Sequence, residues 1–148
     1  MNETNEVEIL IVEDNQDDLD MTLRALRKAN FANRIQIARD GAEAMECIFG
    51  RGADAGRTIL SEPRLILLDL KLPKIDGLEV LRRIKTDPRT KMIPVVVLTS
   101  SKEQKDVVES YQLGVNSYIV KPVNFEGFVA SVQELGMYWL LLNLPPKP

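Results

Sequence analysis

Short β-branched apolar runs alternate with longer amphipathic stretches along the whole chain, and that alternation leaves few ways to fold. Runs such as Ile9-Leu10-Ile11-Val12, Leu65-Ile66-Leu67-Leu68 and Val95-Val96-Val97-Leu98 are apolar at every position. A strand buried on one face alternates in polarity; one buried on both does not. The pattern therefore predicts βαβ units around a parallel sheet. Strands are expected at about 8–13, 35–38, 65–69, 94–98 and 117–120, and helices at about 16–30, 41–50, 77–86, 102–113 and 125–142.

The runs end on reactive side chains. The first stops at Glu13-Asp14, the third at Asp69, the fourth at Thr99 and the last at Lys121-Pro122. Open α/β sheets place ligand sites beyond the C-terminal ends of their strands. Gathered there, these groups suit a divalent cation and a phosphoryl group. Magnesium would take Asp14 and Asp69, with the Lys71 main-chain carbonyl available and Glu13 assisting directly or through water. Lys121 would pair with phosphoryl oxygens, Thr99 would donate to one of them, and Asp69 would be the nucleophile. Taken singly, each has a plainer reading: Glu13 and Asp14 as helix caps, Thr99 and Asp76-Gly77 as turns, Lys121 as a solvated lysine. The ordered set carries the signal.

Local signals fix several boundaries. Asn15 is expected to cap the first helix, with Asp17 and Asp18 in its first turn. Ser101 and Gln104 read as a capping box for the fourth helix, Gly114 as its stop, and Asp87-Pro88 as the end of the third. The glycine-rich link Gly50–Arg57 reads as a surface loop at the sheet edge opposite the acids. The last helix runs into Met137-Tyr138-Trp139-Leu140-Leu141-Leu142 and is apolar on several faces. It either tucks against its own sheet or meets another subunit, which marks Tyr138, Trp139, Leu140 and Leu141 as a dimer or partner surface.

Composition removes other chemistries. The chain has no histidine, which excludes histidine dyads, most catalytic zinc sites and a phosphohistidine on this chain. A phosphoryl acceptor here must be a carboxylate. The lone Cys47, in a helical stretch without a basic neighbour, reads as an inert thiol in a reducing compartment. A net charge of −3 argues against binding nucleic acid through a basic face. No apolar run reaches the roughly 20 residues of a membrane span, and the polar N-terminus is no signal peptide. A cytoplasmic location is expected.

With Glu13-Asp14, Asp69, Pro73, Asp76-Gly77, Thr99 and Lys121-Pro122 in this order and spacing, the chain resembles a receiver domain of two-component response regulators over nearly its whole length. The resemblance implies a doubly wound, flavodoxin-like (βα)5 fold with strand order 2-1-3-4-5. It implies one domain over 1–148, with a core of about 7–136 and an extended C-terminal helix over 137–144. Asp69 is similar to the family's phosphoacceptor, charged by a sensor histidine kinase. Glu13 and Asp14 match the magnesium-binding acids, Lys121 the phosphate-contacting lysine, and Thr99 with Tyr118 the switch pair. Lys121-Pro122 is often a cis peptide in the family. Leu72 and Ser100 depart from the commoner methionine and alanine or glycine. The glycine-rich link, the Leu67-Leu68-Asp69-Leu70-Lys71-Leu72-Pro73-Lys74 run, Thr99-Ser100-Ser101 and the aromatic-leucine tail are similar to small stand-alone regulators paired with cyanobacterial and bacterial phytochrome kinases. Since only six residues follow Leu142, no effector domain is expected; the output would be protein contact, including a homodimer through the last helix.

Three other readings compete. A magnesium-dependent aspartyl phosphatase of the haloacid dehalogenase type would want an acid two residues after its nucleophile, where this chain has Lys71. A flavodoxin-like cofactor carrier would want amides and little negative charge after the first strand, not Glu13-Asp14-Asn15-Gln16-Asp17-Asp18. A receiver without chemistry would not need the complete acid, hydroxyl and lysine set.

Overall fold

A computed structural model describes residues 9–29, 34–50, 63–121 and 124–136. The elements are β1 (Ile9–Val12), α1 (Gln16–Lys28), β2 (Ile35–Ala38), α2 (Gly41–Phe49), β3 (Leu65–Leu68), α3 (Gly77–Thr86), β4 (Val95–Thr99), α4 (Gln104–Leu113), β5 (Ser117–Val120) and α5 (Phe125–Gly136). The strands form one parallel sheet in the order β2-β1-β3-β4-β5. This is the doubly wound flavodoxin-like architecture. Among the described residues no helix is long and apolar enough to cross a membrane.

The unbroken apolar runs are explained by a core on each face of the sheet. Leu10, Val12, Ile66, Leu68, Val95 and Val97 join Ala44, Met45 and Ile48 of α2 and Val80, Leu81 and Ile84 of α3 on one face. Their neighbours Ile9, Ile11, Leu65, Leu67, Val96 and Leu98 meet Leu19, Ala25 and Leu26 of α1 and Phe128 and Val129 of α5 on the other. Successive side chains thus serve opposite layers, and every position of the central strands must be apolar. The edge strands β2 and β5 are less buried and carry Gln36, Ser117 and Tyr118.

Register brings the strand ends to one edge. Val12 pairs with Ala38 and Leu68, and Leu68 with Val97. Thr99 pairs with Val120. Asn15 caps α1 by accepting from the Asp18 amide at 2.9 Å, and Gly114 ends α4 with φ 105°, a left-handed conformation that suits glycine. Asp87 is extended before Pro88 and ends α3.

Some boundaries differ from expectation. β4 includes Thr99, because Thr99 remains in the ladder with β5. The expected Ser101–Gln104 capping box does not form. Helix α4 begins at Gln104 with Glu103 at its cap position, and the Ser101 hydroxyl instead donates to Asp106 and accepts from the Glu103 amide at 3.3 Å. Residues 137–148 lie outside the described residues, and with them Tyr138, Trp139, Leu140 and Leu141. So do residues 51–57 of the glycine-rich link and Pro122. Gly50 itself is the C-cap of α2, with φ 85°.

Candidate functional site

Each chemistry-bearing residue follows or ends its own strand, and the sheet's register sets their spacing. Glu13 leaves β1 with its amide bonded to the Ala38 carbonyl at 3.0 Å, and its side chain is buried; the next residue, Asp14, is exposed. The Asp69 amide donates to the Val12 carbonyl at 3.0 Å, which fixes its buried carboxyl beside the end of β1. Beyond β5 the Lys121 amide donates to the Thr99 carbonyl at 2.8 Å. Carboxylate oxygens from Glu13, Asp14 and Asp69 all lie within 4.8 Å of one another. Three hard oxygen donors so close together fit a divalent cation such as magnesium or manganese.

Lys121 reaches this cluster from the far side of the sheet. Its buried ammonium donates to Glu13 Oε1 at 2.8 Å, Asp18 Oδ2 at 2.7 Å and Asp69 Oδ2 at 3.1 Å. The other Asp69 oxygen, Oδ1, accepts from the Lys71 amide at 3.0 Å, while the Lys71 side chain faces solvent. Glu13 Oε2 accepts from the Asn15 amide at 3.2 Å. Burial pushes the Glu13 carboxyl up to about 7 and Asp69 adds repulsion, both against the lowering effect of Lys121. Burial by itself would lower the Lys121 ammonium; bonds to Asp18 and Glu13 and the Asp69 charge outweigh it and hold it above the ordinary lysine range.

The turn from Asp69 to α3 is tightly constrained. Gly77 donates its amide to the Leu70 carbonyl at 3.0 Å, and a Cβ there would stand 2.4 Å from the Asp69 carbonyl oxygen and 2.4 Å from Leu70 Cα. Only glycine lets α3 begin so near the phosphoacceptor candidate's backbone. Lys74 in the same turn has φ 70°, an uncommon conformation for a side-chain-bearing residue, and its ammonium lies 3.4 Å from Asp40 Oδ2.

Thr99 is fully buried, and its hydroxyl accepts from the Ser101 amide at 3.4 Å. The half-buried Tyr118 donates its hydroxyl to the Ser101 carbonyl at 3.1 Å, and burial raises its phenol above the ordinary value. The expected switch residues therefore meet through the Ser101 backbone. Helix α4 is the next link: its buried residues are Asp106 and Ser110, both polar, and Asp106 receives the Ser101 hydroxyl.

Sequence reasoning placed Glu13, Asp14, Asp69, Lys71, Thr99 and Lys121 at one edge, and all of them stand there. It missed Asp18 as a partner of Lys121 and Ser101 as the node between Thr99, Tyr118 and α4. The one sequence signal at Asp18 was an acid in the first turn of α1, which the helix dipole already explains.

Comparison with known proteins follows the same lines. Residues 9–133 match the response regulator receiver domain family. The chain is 44% identical over 140 residues to the probable methanogenesis regulatory protein FilR2 of Methanothrix harundinacea, covering 95% of this chain and 88% of that protein. It is 42% identical over 132 residues to response regulator Rcp1 of Synechocystis, covering 89% of this chain and 88% of Rcp1. The crystal structure of the manganese-bound form of Rcp1 superposes with a TM-score of 0.79 over 95% of this chain and 99% of that one. The phosphorylated cyanobacterial phytochrome response regulator RcpA also superposes with a TM-score of 0.79, at 40% identity, over 96% of this chain and 99% of RcpA.

Proposed function

The chain belongs to the response regulator receiver family, and from that premise we propose that Asp69 accepts a phosphoryl group from a phosphohistidine on a sensor kinase, in a magnesium-dependent reaction that switches the protein's contacts with partners. The observation that carries this reading is the Asp69 carboxyl itself: buried, within 4.8 Å of Glu13 and Asp14 oxygens, and bonded to Lys121 at 3.1 Å.

Bringing an anionic phosphoryl group to a carboxylate is chiefly a problem of charge and alignment. Glu13, Asp14 and Asp69 would hold the magnesium ion, with the Lys71 carbonyl as a further ligand. When bound, the ion would neutralise the acids and supply positive charge to the phosphoryl oxygens. An Asp69 carboxylate oxygen forms the new P–O bond as the P–N bond of the donor breaks, and that electron pair returns to the donor's imidazole nitrogen. Lys121 pairs with a phosphoryl oxygen of the resulting acyl phosphate, and the Thr99 hydroxyl turns to donate to another. The Ser101 backbone, bonded to both Thr99 and Tyr118, supports a path from the phosphoryl group to Tyr118.

The relatives support the partner class. A phytochrome-type sensor kinase fits the likeness to RcpA, a phytochrome response regulator. A homodimer through Tyr138, Trp139, Leu140 and Leu141 rests on their apolar pattern in the sequence. Size-exclusion chromatography with light scattering tests it: Trp139→Ala should shift a dimer toward monomer, and an unchanged mass rejects it. For the reaction, wild type incubated with acetyl phosphate and magnesium should gain one phosphoryl mass while Asp69→Asn gains none. Undiminished labelling of Asp69→Asn rejects the assignment.

A further inference from the structure

An ammonium has three N–H donors and no acceptor. In Lys121 the three point to Glu13 at 2.8 Å, Asp18 at 2.7 Å and Asp69 at 3.1 Å. No N–H is left over for a phosphoryl oxygen, so one of these bonds must be exchanged when a phosphoryl group arrives. The three acceptors are not equivalent. Glu13 and Asp69 belong to the acidic cluster whose oxygens lie within 4.8 Å, whereas Asp18 stands outside it. A cation would draw the lone pairs of the first two away from lysine and leave those of Asp18 alone.

We propose that Asp18 is a positioning residue for Lys121: it keeps hold of the ammonium while Glu13 and Asp69 turn to the cation and the phosphoryl group, so that the released N–H faces a phosphoryl oxygen. The proposal rests on the reading of Asp69 as phosphoacceptor. Lysine is a point charge on a flexible four-carbon stem, and a fixed acceptor is what turns it into a directed donor. Asp18 is well placed for that. The Asn15 amide, the donor a carboxylate at this position would cap, is already bonded to Glu13 Oε2 at 3.2 Å, so α1 does not need the Asp18 carboxylate as a cap. The Asp18 side chain sits in the first turn of α1, where negative charge complements the helix dipole, and is 35% exposed. Part exposure keeps it clear of the buried cation cluster while its short bond to Lys121 remains.

Beryllofluoride, a non-reacting phosphoryl mimic, provides the test. Its affinity at saturating magnesium would be measured by calorimetry for wild type, Asp17→Asn, Asp18→Asn, Lys121→Ala and the Asp18→Asn/Lys121→Ala double variant. Asp17→Asn removes an equal charge from the same exposed turn without touching Lys121. The expected result is about fivefold weaker binding for Asp18→Asn, the upper end for a partly solvent-screened ion pair. Asp17→Asn should bind as wild type or slightly tighter, and Asp18→Asn should add less than about twofold once Lys121 is gone. Asp18→Asn matching Asp17→Asn, or losing the same factor with and without Lys121, overturns the positioning role. If Lys121→Ala binds below detection, the comparison with Asp17→Asn decides alone. Asp69→Asn separates the two layers of argument. Lost beryllofluoride binding there upholds the phosphoacceptor reading, so that a null result for Asp18→Asn counts against positioning only. Undiminished binding by Asp69→Asn overturns both.

Discussion

Replacing Lys121 with methionine keeps the bulk of the side chain and removes its charge, and the structure sets the size of the effect. The ammonium is 9% exposed and faces three carboxylates. Its bond to Asp18 is screened by solvent and contributes no more than about 1 kcal/mol. The bonds to Glu13 and Asp69 are buried, and removing one partner of a buried pair costs about 3–5 kcal/mol because the other charge is left uncompensated. For a chain of this length that corresponds to a melting temperature about 6–20 °C lower. Protons change the outcome in a defined direction. The Glu13 carboxyl is raised from 4.5 to about 7, so the stability it contributes below 4.5 is lost as pH rises through 7. Without Lys121 its carboxyl rises further. The loss should therefore be largest near about pH 8 and clearly smaller near about pH 5.5, where Glu13 takes up a proton. Magnesium at a hundredfold excess over the variant's Kd should raise the variant's own stability by about 2.7 kcal/mol. Calorimetric melting at both pH values, with and without magnesium, measures all three. A metal-free loss below about 1 kcal/mol at the higher pH, or equal losses at the two pH values, would refute this account of the buried charges.

Three further outcomes follow from particular contacts. Gly77→Ala places a Cβ 2.4 Å from the Asp69 carbonyl oxygen, so the turn must move; urea denaturation should show a loss of about 1–3 kcal/mol, and acyl-phosphate labelling should slow. Magnesium must compete with the proton that Glu13 holds at a pKa of about 7, so its affinity, measured by calorimetry, should rise about tenfold between about pH 6 and about pH 8. Ser101→Ala leaves the buried Asp106 carboxylate without its hydroxyl donor; it should cost about 1–3 kcal/mol and speed amide hydrogen exchange within α4 in the unphosphorylated protein.

The parts of the fold legible in the sequence were those where burial is two-sided. Strands β1, β3 and β4 are apolar at nearly every position because each serves two cores, and their ends fell where the carboxylates and Thr99 begin. The acids were legible as a site because Glu13-Asp14 and Asp69 follow two separate apolar runs, an order that simple capping would not require. Less legible was what side chains do once the elements meet. Asp18 occupies a position where an acid is already explained by the helix dipole, and its bond to Lys121 joins residues 103 apart in sequence. Ser101 offered a hydroxyl three residues before Gln104, the spacing of a capping box, but the structure gives that hydroxyl to Asp106. Local spacing identifies a donor; which acceptor it finds depends on which helix face the sheet covers. For α4 that covered face is polar, so apolar periodicity carried little information there.

The phosphoacceptor assignment can be tested at a single atom. Borohydride reduces an aspartyl phosphate to homoserine, marking the residue that carried the acyl phosphate. After treatment with acetyl phosphate and magnesium, tandem mass spectrometry should find homoserine at position 69, and only in samples that received magnesium. Homoserine at position 13, 14 or 18 instead, or none anywhere, would contradict it.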